Sequence, residues 1–67
     1  MKEAIVVRGM TCRHCVMAVR RAIEGLPGVE SVSVNLETGY VEITGNEEME
    51  RNRIRKAVED EGYTVES

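Results

Sequence analysis

The chain has 67 residues, which allows one small domain over residues 1–67 and leaves no room for an enclosed substrate cavity. Its net charge of −3 and its lack of Phe and Trp argue against a nucleic-acid binder, which needs a basic face and aromatic stacking platforms. No apolar stretch approaches the roughly 20 residues that span a bilayer, so membrane insertion is not expected.

The spacing of apolar residues predicts six elements. Strands are expected where apolar and polar residues alternate, and helices where apolar residues recur every three or four positions. In chain order the predicted elements are a strand over Ala4–Arg8, a helix over Cys15–Gly25, strands over Val29–Leu36 and Tyr40–Thr44, a helix over Glu48–Glu61 and a strand over Tyr63–Val65.

Two details of this pattern lead to specific expectations. Leu36 continues the alternation of the second strand, so its side chain is expected to face inward. Glu47 and Glu48 are expected near the N-terminus of the second helix, where negative charge matches the helix dipole. Gly62 is expected to end that helix.

The element order β-α-β-β-α-β predicts the fold class. Each helix carries one apolar stripe and each strand can bury one face. We therefore expect an α+β fold of the ferredoxin-like type, with a four-stranded antiparallel sheet and both helices covering one of its faces.

Two cysteines, Cys12 and Cys15, bracket the predicted start of the first helix. The N-terminus is too short and too charged for a signal peptide, and the initiator Met1 favours a cytoplasmic protein. In a small cytoplasmic chain two cysteines more often serve metal or redox chemistry than a structural disulfide. Their spacing lets both sulfurs converge where the loop turns into the helix.

The position of the pair favours thiolates. The start of a helix offers unpaired N–H groups and a partial positive charge, and both lower the pKa of a thiol. Arg13 and His14 are expected to add positive charge. Cys12, on the loop, is expected to be the ligand that exchanges, and Cys15, on the helix, the one that anchors the ion.

The number of ligands restricts the metal. Structural zinc sites use four Cys or His ligands, and iron–sulfur clusters usually need four thiolates. Two cysteines and one histidine cannot complete either site. Soft thiolates select Cu(I), which accepts a near-linear pair of ligands. Ag(I) and Hg(II) would fit as well, and Zn(II) would need ligands from elsewhere.

The segment Gly9–Cys15, Gly-Met-Thr-Cys-Arg-His-Cys, resembles the motif of the heavy-metal-associated domain family. That family includes bacterial copper chaperones and the N-terminal domains of copper-transporting P-type ATPases. The resemblance covers essentially the whole chain, through the Leu26–Val29 turn, the Val32–Leu36 strand and the Glu59–Tyr63 ending.

The resemblance implies roles for particular residues. Cys12 and Cys15 match the metal ligands of the family, and Met10 matches a buried methionine that supports the loop. Tyr63 matches a residue near the metal, expected mainly to pack there. Thr11 stands where relatives that favour zinc often carry Asp, so it favours Cu(I).

The same resemblance implies a cargo and a partner. The chain is expected to be a copper chaperone rather than an enzyme, and to deliver Cu(I) to the cytosolic metal-binding domain of a copper-transporting P-type ATPase. It is expected to be a monomer without metal, and metal-bridged dimers are consistent with two such sites sharing an ion. His14 matches the second intervening residue of bacterial chaperones and is expected to tune the site more than to bind the ion.

Arg13, Arg20 and Arg21 lie on or near the exposed side of the first helix. They could dock an acidic partner, or they could simply form a solvated helix face.

Three other functions stay open. The mercuric-ion-binding proteins share the Gly-Met-Thr-Cys-x-x-Cys motif and a similar Gly-Tyr ending. The chain could also be the metal-binding domain of a larger P-type ATPase. A thiol–disulfide oxidoreductase is less favoured, because the chain is shorter than a thioredoxin-like domain and Arg13-His14 is not the usual intervening pair.

Overall fold

The computed structural model describes residues 1–66, and within them the predicted order of elements is confirmed. The elements are β1 (Lys2–Arg8), α1 (Arg13–Glu24), β2 (Val29–Val34), β3 (Tyr40–Gly45), α2 (Arg51–Asp60) and β4 (Thr64–Val65).

The four strands form one antiparallel sheet in the order β2-β3-β1-β4. Ile5 of β1 lies opposite Val41 of β3, and Val32 of β2 lies opposite Ile43, so apolar side chains align across the three longer strands. β4 pairs with the end of β1 through Val7 and Val65. The predicted ferredoxin-like topology is confirmed.

One hydrophobic core lies between the sheet and the helices. All of the buried side chains among residues 1–66 are apolar: Ile5, Val7, Val19, Ile23, Val32, Val41, Ile43, Met49, Ile54 and Val58. Because α1, α2 and the strands contribute to the same cluster, both helices cover the same face of the sheet. Full burial of each such side chain contributes about 1.5–3 kcal/mol.

The second helix begins later than predicted, at Arg51 instead of Glu48. Residues 46–49 form a separate turn, in which the Asn46 carbonyl accepts the N–H of Met49 at 3.0 Å and the Asn46 side-chain oxygen accepts the N–H of Glu48 at 2.9 Å. Glu50 then has an extended backbone (φ −119°, ψ 126°), so the helix starts only after it. The expected interaction of Glu47 and Glu48 with the helix dipole is therefore wrong, and the first turn of α2 holds no acidic residue.

Other boundaries shift by a few residues. β1 begins at Lys2 because pairing with β3 continues to Thr44. β2 ends at Val34, and Leu36 lies in the following turn with 37% of its surface exposed, so the expected inward orientation of Leu36 is wrong. Gly62, with φ of +95°, follows the end of α2 as predicted.

No helix within residues 1–66 combines the length and the apolar character needed to cross a membrane.

Candidate metal centre

The two cysteines lie where β1 gives way to α1. The connecting segment, residues 9–12, is called the cysteine loop here. Cys12 is the N-cap of α1 with an extended backbone (φ −157°, ψ 177°), and its carbonyl accepts the N–H groups of Cys15 and Val16 at 3.1 and 3.2 Å. Cys15 therefore lies in the first turn, and both side chains are at the same end of the helix.

The two sulfur atoms are 4.0 Å apart, and both thiols are free. Cys12 is exposed, whereas Cys15 is half-buried. Two metal–sulfur bonds as long as those to zinc, about 2.3 Å each, span up to about 4.6 Å. An ion could therefore bridge the sulfurs with only a small movement of either side chain.

The surroundings of Cys15 favour the thiolate form of its side chain. Hydrogen bonds lower the pKa of its thiol from 9.0 to about 6. The backbone N–H of Thr11 contributes most, followed by the Tyr63 hydroxyl, the Thr11 hydroxyl and the backbone N–H of Cys12. The Thr11 oxygen lies 3.7 Å from the sulfur. At neutral pH Cys15 is thus mostly ionised, which is the form that binds metal.

The source of this lowered pKa differs in part from the sequence-based expectation. Backbone N–H groups near the start of α1 do stabilise the thiolate, but they belong to Thr11 and Cys12, which precede the first helical residue, and not to the first turn of the helix. The predicted charge effect of Arg13 and His14 is not among the causes, and both side chains are exposed. Hydrogen bonds from the cysteine loop take that role, and they could not be anticipated without knowing the path of the loop.

Tyr63 reaches the cysteine loop from the far end of α2. Its half-buried ring packs against Gly9, where an added Cβ would lie 3.3 Å from a ring carbon. The hydrogen bond to Cys15, together with partial burial, raises the pKa of the Tyr63 hydroxyl. Tyr63 thus packs against the loop and also favours the thiolate form of Cys15.

Met10 is half-buried and packs against the core. This placement suits a support of the loop. Within residues 1–66 no group of three or more Cys, His, Asp or Glu side chains could hold a metal ion together, so His14 does not complete a site with the two sulfurs.

The exposed side of α1 carries the arginines considered for docking. Arg20 pairs with Glu24 at 3.1 Å, one helical turn away. Arg21 lies beside them and Met17 is exposed, and these four residues line a shallow open groove. Arg13 is exposed nearer to the cysteines.

Comparison with known proteins gives consistent results. The heavy-metal-associated domain matches residues 4–64. The copper chaperone CopZ of Bacillus subtilis (strain 168) is 40% identical over 65 residues, covering 96% of this chain and 94% of that protein. Among solved structures, a CopZ metallochaperone superposes with a TM-score of 0.95 at 37% identity, covering 98% of this chain and all of that one.

A copper-binding domain from HMA7, a P-type ATPase, is also similar, with a TM-score of 0.90 at 29% identity over 97% of this chain and 89% of that one. The family match extends over nearly the whole sequence and coincides with the observed sheet and helices. The chain therefore belongs to the heavy-metal-associated domain family.

Proposed function

We propose that this protein is a copper chaperone that holds one Cu(I) ion between Cys12 and Cys15 and delivers it to a partner protein. The observation that carries the proposal is the pair of free sulfurs 4.0 Å apart at an exposed loop–helix junction. The named relatives, copper chaperones and a copper-binding ATPase domain, support the choice of copper.

The ligand set supports a monovalent soft ion. Two thiolates match the preference of Cu(I) for few, soft ligands. A structural zinc site would need four ligands, and residues 1–66 bring together no group of three. Two thiolates and Cu(I) carry a net charge of −1, which the N–H groups of the cysteine loop stabilise as they stabilise the Cys15 thiolate.

Delivery is proposed to occur by ligand exchange. A thiolate of the partner forms a bond to the ion, the bond to Cys12 breaks, and a second partner thiolate then replaces Cys15. The oxidation state of copper does not change, and each cysteine leaves as a thiolate. Cys12 leaves first because it is exposed, while Cys15 is half-buried and held by Thr11 and Tyr63.

The proposed partner is the cytosolic metal-binding domain of a copper-transporting P-type ATPase, and the proposed location is the cytoplasm. The similarity to a copper-binding domain of such an ATPase supports this choice, since two similar sites can share one ion. The same property allows two copies of this protein to share an ion as a metal-bridged dimer.

The test is a transfer experiment. Protein loaded with one equivalent of Cu(I) is mixed with the metal-binding domain of the copper ATPase from the same genome, in the presence of excess Cu(I) chelator. Direct exchange delivers the ion to the acceptor domain before the chelator can trap it. Capture of the copper by the chelator, with none on the acceptor, would contradict the proposal.

Two further measurements separate the alternatives. If deletion of the gene raises sensitivity to mercury rather than to copper, the chain is a mercuric-ion carrier. Turnover of disulfide substrates at the rate of an oxidoreductase would indicate an enzyme. The length of the gene separates a chaperone from the domain of a larger ATPase.

A further inference from the structure

The turn that joins β2 and β3, residues 35–39, has hydrogen bonds within itself and one to β1. Within the turn, the Asn35 carbonyl accepts the N–H of Gly39 at 2.9 Å, and the Asn35 side chain accepts the N–H of Thr38 at 3.2 Å. Outside it, the Gly39 carbonyl accepts the N–H of Val7 at 2.8 Å. The turn therefore holds the end of β1, directly before the cysteine loop.

The contact between Gly39 and Val7 leaves no space for a side chain. Gly39 is buried with φ of +78°, and an added Cβ would lie 2.4 Å from the carbonyl oxygen of Val7. Real Cβ atoms do not approach oxygen so closely, and the positive φ strains any other residue. Only glycine allows the turn to lie against β1 in this way.

The turn also faces the beginning of the cysteine loop. Residues 36–39 and residues 7–10 line the two sides of a small cleft of about 110 Å³. From another direction, the Tyr63 ring packs against Gly9. The start of the loop is thus held between two supports, of which Tyr63 contacts the site directly and the turn does not.

We propose that the β2–β3 turn, through Gly39, positions the cysteine loop and with it Cys12, so that the two sulfurs lie 4.0 Å apart at the start of α1. Gly39 is then a positioning residue for metal binding, although it lies in the β2–β3 hairpin, which carries neither cysteine. The inference rests on the proposed copper-binding function and extends it to a part of the chain that contacts no ligand.

The test compares Gly39→Ala with Gly28→Ala. Gly28 has φ of +83°, and its added Cβ would lie 2.4 Å from a backbone atom, the nitrogen of Met49. Strain and crowding are therefore matched. Gly28 lies beyond the far end of α1, whose 12 residues span about 18 Å. A purely structural role predicts that the two substitutions have the same consequences.

Two properties are measured on the folded fraction of each variant: Cu(I) affinity by chelator competition, and amide hydrogen exchange of residues 9–12 in the reduced, metal-free protein. We expect both variants to lose thermal stability. Only Gly39→Ala should weaken Cu(I) binding, by about tenfold, as outer supports of metal sites do. Only Gly39→Ala should accelerate exchange in the cysteine loop.

A second pair of variants, which perturbs the structure less, is used if Gly39→Ala does not fold. Asn35→Ala removes the side-chain hydrogen bond within the turn without crowding it. Asn46→Ala removes a comparable bond, to the N–H of Glu48, close to Gly28. We expect Asn35→Ala to weaken Cu(I) binding by about threefold, as the loss of one net hydrogen bond would, and Asn46→Ala to leave it unchanged.

Equal changes in Cu(I) affinity and loop exchange within each pair would overturn the inference, as would wild-type values in folded Gly39→Ala. The exchange measurement needs no metal. If the wild-type protein took up no Cu(I), the proposed function would fail, while faster loop exchange in Gly39→Ala alone would still support the positioning role.

Discussion

The hydrophobic core and the cysteine loop are held in different ways. The core consists of apolar side chains, and its largest members, such as Ile23 and Ile54, are completely buried. In the cysteine loop Thr11 and Cys12 are exposed, and Met10 is only half-buried. The loop is shaped by hydrogen bonds and by the packing of Tyr63 against Gly9.

This difference suggests that stability and metal chemistry are largely separable. Burial of apolar surface contributes most of the folding free energy, and it depends little on the ligands. The reactivity of Cys15 depends on a few hydrogen bonds, and the residues that make them bury little apolar surface. Substitutions in one region should therefore leave the property of the other region nearly intact.

The largest expected effect on stability comes from the core. Ile54→Ala should lower the free energy of unfolding by about 2–5 kcal/mol, because it removes buried methyl groups and leaves a cavity. Urea denaturation of the reduced apo-protein measures this loss. Met17→Ala, at an exposed position of α1, serves as the control and should change stability little. A folded Ile54→Ala protein that no longer bound Cu(I) would show that the two regions are coupled.

Substitutions of the two cysteines should affect different properties of the site, namely Cu(I) retention and the rate of Cu(I) transfer. Cys15→Ser should weaken Cu(I) retention more, by about tenfold relative to Cys12→Ser, because it removes the sulfur held by Thr11 and Tyr63. Cys12→Ser should mainly slow transfer to an acceptor. Retention is measured by chelator competition and transfer by rapid mixing. Identical behaviour of the two variants in both assays would contradict the assignment of anchor and exchanging ligand.

The hydrogen bond from Tyr63 should be visible in the pH dependence of thiol reactivity. In Cys12→Ser, where Cys15 is the remaining thiol, the alkylation rate should reach half its maximum near pH 6. Tyr63→Phe should move this midpoint upward, since it removes a donor to the thiolate. Tyr40→Phe, at the other tyrosine, on β3 opposite Val6, should not. Equal midpoints in both variants would exclude the role of the Tyr63 hydroxyl.

The same pKa predicts how stability varies with pH. The pKa of Cys15 is about 6 in the folded protein against 9.0 for an ordinary thiol, so folding favours the thiolate. This contribution is complete above the ordinary pKa and is lost as the pH falls through about 6. The melting temperature of the reduced apo-protein should therefore rise from pH 6 to pH 9 more in the wild type than in Cys15→Ser. An equal rise in both proteins would contradict the prediction.

The smallest expected effect comes from surface ion pairs. Arg8 and Glu66 join β1 to the residue after β4 at 2.6 Å, but their side chains are 66% and 43% exposed. Glu66→Gln should lower the free energy of unfolding by less than about 1 kcal/mol, because exposed pairs are screened by solvent. Glu24→Gln, which breaks the exposed pair with Arg20, should act similarly. A much larger loss in Glu66→Gln alone would contradict the assignment of Arg8–Glu66 as a screened surface pair.

The sequence predicted the fold well because its signals are local. Alternating residues such as Val41 and Ile43 indicate a buried strand face, and the positive φ of Gly62 fits its predicted place after α2. The predicted start of α2 was wrong because the extended backbone of Glu50 separates the turn at Asn46 from the helix. Periodicity carries no signal for that backbone conformation.

The candidate site was predictable in its position but not in its chemistry. The spacing of Cys12 and Cys15 indicates that two sulfurs meet at a helix start. The contact of Gly39 with Val7 joins segments far apart in the chain and leaves no local pattern. The donation by the Thr11 backbone is local, but it depends on the path of the cysteine loop, which the spacing of the cysteines does not specify. The charges on Arg13 and His14, which the sequence suggested, are not among the causes of the lowered pKa of Cys15.

The most direct test is an anaerobic Cu(I) titration of the reduced protein against a competing chelator, with the Cys12→Ser/Cys15→Ser double variant measured alongside. We expect the wild type to bind one Cu(I) per chain and the double variant, although folded, to bind none above the chelator background. Uptake by the double variant at the wild-type ratio, or no uptake by the reduced wild type, would contradict a site made of these two sulfurs.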